Sequence, residues 1–188
     1  MMTTTVHPDM FTRVSYEFLQ RLDKEAGAWL GQPKLNGHCL LVHKDGKTLF
    51  CQNKGGNEKS HIPTGQMALL SALLEDLDEV TVQGEFIGPR ADYLGAMPIP
   101  RIEIVDCLRW RGEWLRHKPF MERLELLAVE GIPHLPAVES PLLCDLYAAQ
   151  LTDPVSEGIV VRSATSGLVL HPDVCRVRSD WFKIKFRG

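Results

Sequence analysis

Lys34 is followed by Leu35-Asn36-Gly37, so its amine stands just ahead of the kind of tight bend that Asn-Gly supplies between strands. An amine held there can attack an electrophilic phosphorus if it is at least partly unprotonated, which a free lysine is not at neutral pH. Nearby cations favour the neutral form, because they disfavour another positive charge. Lys183 and Lys185, in Trp181-Phe182-Lys183-Ile184-Lys185, are two apart on a predicted strand and share a face. The same cations would neutralise a phosphate chain and the charge that develops on the attacked phosphoryl group. Carboxylates able to hold a hard divalent ion or orient a sugar sit beside glycines: Glu85 in Val82-Gln83-Gly84-Glu85-Phe86-Ile87, and Glu157 in Ser156-Glu157-Gly158-Ile159-Val160-Val161-Arg162. Leu35, Phe86, Val105 and Ile159 are candidate apolar walls around a base.

Taken singly, each residue has an ordinary reading: a turn lysine, surface carboxylates, the wet face of an edge strand. The elements around them must therefore bring them together. Phe11 to Trp29 is predicted as a helical approach segment, with Phe11, Val14, Phe18, Leu19 and Leu22 near helical spacing. Cys39 to His43 and Thr48 to Cys51, joined by Lys44-Asp45-Gly46-Lys47, form a predicted hairpin. Gln66 to Leu77 is a predicted helix leading into a strand from Val80 to Ile87. Further strands are expected at Ile102 to Trp110, just after a turn at Arg111-Gly112-Glu113, at Gly158 to Arg162 and at Trp181 to Phe186. Helices are expected from Pro119 to Glu130 and up to Leu151. Strands and helices do not alternate strictly, so the pattern predicts an antiparallel α+β domain.

The chain of 188 residues is long enough to bury a core without staples, and its five cysteines show no Cys-x-x-Cys pair. The expected setting is a reducing cytoplasm, with no membrane partner, since no stretch is apolar for long enough to span a bilayer. The seven histidines show no metal-ligand spacing. A net charge of −3 excludes coating of nucleic acid by bulk electrostatics, so any such contact must be local. Two basic clusters qualify: Arg162, Arg176, Arg178, Lys183, Lys185 and Arg187 near the end of the chain, and Arg101 through Lys118.

Together the four segments, in their order, resemble the signature of the covalent nucleotidyltransferases: ATP-dependent DNA ligases, RNA ligases and capping enzymes. Arg101 to Leu108, with the later Pro119-Phe120-Met121-Glu122-Arg123-Leu124, looks like the ligase segment in which an aspartate-bearing strand precedes a Glu-Arg helix. The resemblance implies two antiparallel sheets with flanking helices around a nucleotide cleft, residues 1–30 being an approach segment and 31–188 the adenylation domain; the OB-fold domain that usually follows in the family is not expected within these residues. It implies that Lys34 is adenylated by ATP. Gln32, Leu35, Glu85, Val105, Lys183 and Lys185 would bind the nucleotide, and Glu85 and Glu157 would hold Mg2+ or Mn2+. Lys54, Arg162, Arg178 and Arg187 would meet a nicked nucleic acid, DNA favoured over RNA, with a separate clamp or OB-type protein as a further partner. The chain departs from the pattern where Asn36 replaces an aspartate, Cys39 an arginine, Lys54 an arginine, and Val105 an aromatic. Sealing of RNA and a non-catalytic ligase-like binding protein are the alternatives.

Overall fold

The computed structural model describes residues 10–59, 62–88, 99–167 and 177–186, with the side chains of Met10, Val177, Arg178 and Ser179 left aside. The elements run β1 (Met10–Arg13), α1 (Tyr16–Leu22), β2 (Trp29–Leu35), β3 (His38–Asp45), β4 (Thr48–Asn53), α2 (Thr64–Leu73), β5 (Glu79–Ile87), β6 (Arg101–Trp110), β7 (Glu113–Trp114), α3 (Phe120–Val129), β8 (Val138–Glu139), α4 (Leu143–Gln150), β9 (Ser156–Ser163) and β10 (Val177–Lys185). They form two five-stranded sheets, ordered β1-β10-β9-β2-β8 and β4-β3-β5-β6-β7. The fold is the expected α+β. One expectation needs correction: β1 pairs with β10 in parallel, so the first sheet is mixed rather than antiparallel throughout.

The alternation of side chains along β9 and β10 assigns the faces of the first sheet. Ile159 lies opposite Ile184 and Val161 opposite Phe182, and all four pack with Leu19 and Leu22 of α1 and Leu143 of α4. α4 approaches β2 so closely that a methyl group on Gly31 would stand 2.8 Å from a Leu143 methyl carbon. The intervening residues, Gly158, Val160 and Arg162, face the other sheet. On that sheet Leu40, Val42, Val80 and Val82 enter the largest core with Leu70, Leu74 and Leu77 from α2 and its following turn. Between the sheets lies a small apolar contact of Leu41, Leu108 and Trp181, with Phe11 and Trp114 against it. Beyond that contact the sheets part.

The predicted helix over Phe11 to Trp29 is shorter than expected. Ser15 accepts a hydrogen bond from Phe18 N at 3.3 Å and starts α1 there, while Phe11 is already a strand residue whose ring lies 5.3 Å from that of Trp181. Hydrophobic spacing alone could not separate the two, because Phe11 and Leu19 are both apolar but serve different faces.

His43, the last residue of the first predicted hairpin strand, is buried in β3. Its ring stacks on Phe50 at 4.8 Å and its Nδ1 lies 3.1 Å from Thr81 Oγ1. Burial, with a smaller push from the Arg109 charge, lowers its pKa from 6.5 to about 4. A group whose folded pKa is depressed binds its proton more readily when unfolded, so stability falls as pH drops from 6.5 towards 4. The loss amounts to roughly 3 kcal/mol. Denaturant melts across this window should show the decline, and His43→Phe should flatten it.

Candidate active site

Three adjacent strands line up the proposed chemistry. Across β2, β9 and β10 the register sets Lys34 opposite Gly158 and Gly158 opposite Lys185, with Gln32, Val160 and Lys183 as the next row on the same face. Glu157 bridges the outer two strands. Its Oε1 accepts from the Lys34 amine, and its Oε2 accepts from Lys185 Nζ at 2.8 Å. Burial raises the Glu157 carboxyl, but the hydrogen bonds from Lys185 and Lys34 and their charges outweigh that, so it titrates below the usual carboxylate range. It is ionised at neutral pH. Gly158 has φ 142°, and a β-carbon there would run into the Ile184 carbonyl, so only glycine lets β10 close up beside this bridge. Lys183 is pulled down by burial first, then by the charges of Lys34 and Lys185, with Lys54 adding to the same effect. The expected clustering of cations around one face is therefore present.

The second sheet supplies the facing wall. Glu85 of β5 lies against the turn after Lys34: a methyl on Gly37 would come within 2.8 Å of Glu85 Cγ and 2.6 Å of the Phe86 carbonyl. The glycine of Lys34-Leu35-Asn36-Gly37 thus admits Glu85 to the site. The two walls enclose a cleft of about 610 Å³, into which Lys34, Leu35, Glu85, Val105 and Lys183 face, together with Lys54 from the end of β4. Of the proposed apolar walls, Leu35 and Val105 line it. Ile159 does not, because the strand period turns it towards α4, and Val160 takes its place.

The floor holds the least expected arrangement. Arg123 of α3 grips Asp106 of β6 through two bonds of 2.8 Å each, and Arg162 of β9 adds a third at 3.3 Å from its NH1. Arg162 is 4% exposed, its guanidinium 3.9 Å from the Phe120 ring centroid and 4.9 Å from that of Trp181. Burial lowers its pKa to about 10, still cationic at neutral pH. An outward-facing nucleic-acid contact, the sequence expectation for Arg162, does not match this placement. A polar strand residue followed by a turn looks exposed in sequence, and only the facing strand β6 shows otherwise. Beside it Gln32, 2% exposed, donates from Nε2 to the carbonyls of Leu135 at 2.8 Å and Val105 at 3.3 Å. Those two bonds fix the amide orientation and leave Gln32 Oε1 buried without a partner; Arg162 Nε is likewise unpartnered. Asp106→Ala should cost about 3–5 kcal/mol in denaturant unfolding, since it strands two buried cations.

Other expectations divide. Lys185 meets Glu157 rather than lining the cleft. Arg178 is placed only as a backbone partner of Phe11, and Arg187 and Arg176 lie outside the described residues. In the Arg101–Lys118 cluster, Arg101, Arg109, Arg111 and Lys118 are ion-paired with Glu103, Glu79, Glu130 and Glu122. Those four charges are thereby largely neutralised. Among the described residues no three or more His, Cys, Asp or Glu side chains gather as a metal cage. The donor set still suits magnesium, which takes one or two carboxylates and completes its shell from phosphate and water. Sequence reading missed Val160 and Lys59 in the cleft; the register of β9 against Lys183 would have found the first, and nothing local marks the second. No helix among the described residues is long and apolar enough to cross a membrane.

No family model matches the sequence, and no curated protein does either. Solved structures do. A mycobacterial DNA ligase D complexed with ATP and MES superposes with a TM-score of 0.72 at 18% identity, covering 100% of this chain and 62% of that one. A putative ATP-dependent DNA ligase from Aquifex aeolicus gives 0.62 at 15% identity, covering 95% and 49%. An archaeal ATP-dependent RNA ligase gives 0.60 at 15%, covering 94% and 48%. The chain thus spans about half to three fifths of the length of the proteins that it resembles. Its fold is that of a ligase-type nucleotidyltransferase domain, shared by DNA and RNA ligases.

Proposed function

We propose that this chain is an ATP-dependent, ligase-type adenylyltransferase that carries AMP on Lys34 and passes it to the 5′-phosphate of a nicked strand, DNA in preference to RNA. The observation that carries the reading is Glu157 held between Lys34 and Lys185, with Lys34 and Lys183 lining one wall of a nucleotide-sized cleft. The Lys34 amine attacks the α-phosphorus of ATP, the bond to the β-phosphate oxygen breaks, and pyrophosphate leaves with the electron pair. Glu157 Oε1 is the nearest acceptor for the proton that the amine gives up. Lys183 neutralises charge on the α-phosphoryl group. Glu85 and Glu157 would hold a magnesium or manganese ion, which supplies further charge neutralisation along the phosphates. A 5′-phosphate oxygen then attacks the phosphoramidate, the P–N bond breaks, and Lys34 recovers its proton. Attack by the 3′-hydroxyl expels AMP.

The floor supports adenine as the base. Gln32 Oε1, an acceptor, and Arg162 Nε, a donor, are the unpartnered atoms of two residues that line the cleft. An edge that offers an amino group beside a ring nitrogen, as adenine does with N6 and N1, matches the two in hydrogen-bonding type. Burying such groups unpaired costs about 1–3 kcal/mol each, which a bound base would recover.

A pulse and chase tests the function. Protein labelled with α-labelled ATP is freed of nucleotide and mixed with nicked DNA or with a nick bearing RNA on one side. Label should move from protein to the strand end, faster on DNA, and GTP should label poorly. Faster transfer to the RNA-containing nick would reassign the substrate; label that never leaves the protein would leave only the self-adenylation step.

A further inference from the structure

The cleft's cations come from both walls. Lys34, Lys183 and the floor residue Arg162 belong to the first sheet, whereas Lys54 and Lys59 belong to the segment leaving β4 in the second. That segment is a built turn. Asn53 Oδ1 accepts from Gly55 N at 2.8 Å and from Asn57 N at 3.1 Å, while the Asn53 carbonyl accepts from Gly56 N at 2.9 Å. Gly56 takes φ 79°, and the Asn53 amide donates to the Asn57 carbonyl at 2.9 Å. The chain then returns along its own strand: Glu58 bridges to Gln52, and Lys59 N donates to the Cys51 carbonyl at 2.8 Å. The turn fixes the backbone of both lysines on the cleft wall.

The charge balance says what the wall faces. Among the described residues that line the cleft, Lys34 and Arg162 are ion-paired with Glu157 and Asp106 outside the lining, and Lys54, Lys59 and Lys183 stand against the single lining carboxylate Glu85, in a chain whose net charge is −3. Lys54 is near enough to Lys183 for its charge to be felt there, across the gap between the sheets. Opposed cations repel, and a polyanion between them removes the repulsion. Lys34 and Lys183 already serve one phosphoryl group, so the cations of the opposite wall suit the remaining phosphates.

We propose that Lys54 and Lys59 hold the β- and γ-phosphates, keeping pyrophosphate aligned both as leaving group and as returning nucleophile. The proposal rests on the adenylyltransferase reading above and assigns the substrate's phosphate tail to the second sheet. Nucleic-acid binding by Lys54, the sequence expectation, becomes the competing outcome.

The test uses the full chain carrying lysyl-AMP. On adding inorganic pyrophosphate, one of its oxygens attacks the AMP phosphorus, the P–N bond breaks, Lys34 leaves as an amine after taking up a proton, and ATP forms. Lys54→Ala and Lys59→Ala should each raise the pyrophosphate concentration for half-maximal ATP formation about tenfold, the scale of one lost charged hydrogen bond. The ATP concentration needed for labelling should rise in parallel, and the concentration of nicked duplex needed for AMP transfer should move far less. Lys59→Arg should recover most of the loss, which a merely structural role for the side chain would not require. A larger effect on the duplex than on pyrophosphate would overturn the proposal and give these lysines to the strand. Wild-type labelling with unchanged pyrophosphate dependence in both variants would overturn it alone; absence of any lysyl-AMP on the wild type would overturn it together with the reading beneath it.

Discussion

Lys34→Ala should abolish covalent attachment of AMP, and Lys34→Arg should do the same. Alanine removes the nucleophile, while arginine keeps the charge and the length but presents a guanidinium that is always protonated. The pair separates chemistry from electrostatics. If Lys34 served only as a counter-ion to Glu157, arginine would preserve that ion pair and activity would survive. The check is label retained after denaturing electrophoresis, with thermal melts showing that both variants fold. Lys34 and Lys185 share Glu157, so loss of one partner still leaves the carboxylate paired.

Lys183→Ala should slow self-adenylation by about 100-fold, the scale for losing one preorganised stabiliser of developing charge. Lys183 faces the cleft in the same row as Gln32 and Val160, one row along from Lys34, and sits on a strand held on both sides by β9 and β1. Its amine cannot be replaced by water without losing that alignment. Single-turnover rates at saturating ATP are the measurement, since a change confined to the ATP concentration dependence would make Lys183 a ground-state contact only. Lys183→Arg should retain part of the rate, as charge is kept and reach is altered.

Much of this site was legible because strand alternation is strict. Once Lys183 and Lys185 were placed on a strand, the two-residue period assigned both to one face, and the structure sets that face beside Lys34. The Asp-Gly hairpin between β3 and β4 was equally plain, since its turn chemistry is local. What the sequence concealed depends on partners far along the chain. Arg162 is buried because Asp106 lies 56 residues away in sequence but across the cleft floor in space. β1 joins the sheet in parallel through a register with β10 that no local pattern encodes. Ile159 and Val160 look interchangeable as apolar walls until β10 fixes which of them faces Lys183.

The account stands or falls on a covalent bond at one nitrogen. After incubation with ATP and magnesium, the denatured protein should gain the mass of one AMP, the gain should map to the peptide containing Lys34, and acid should remove it. An unchanged mass with magnesium or manganese at any pH, or AMP on a different residue, would contradict it.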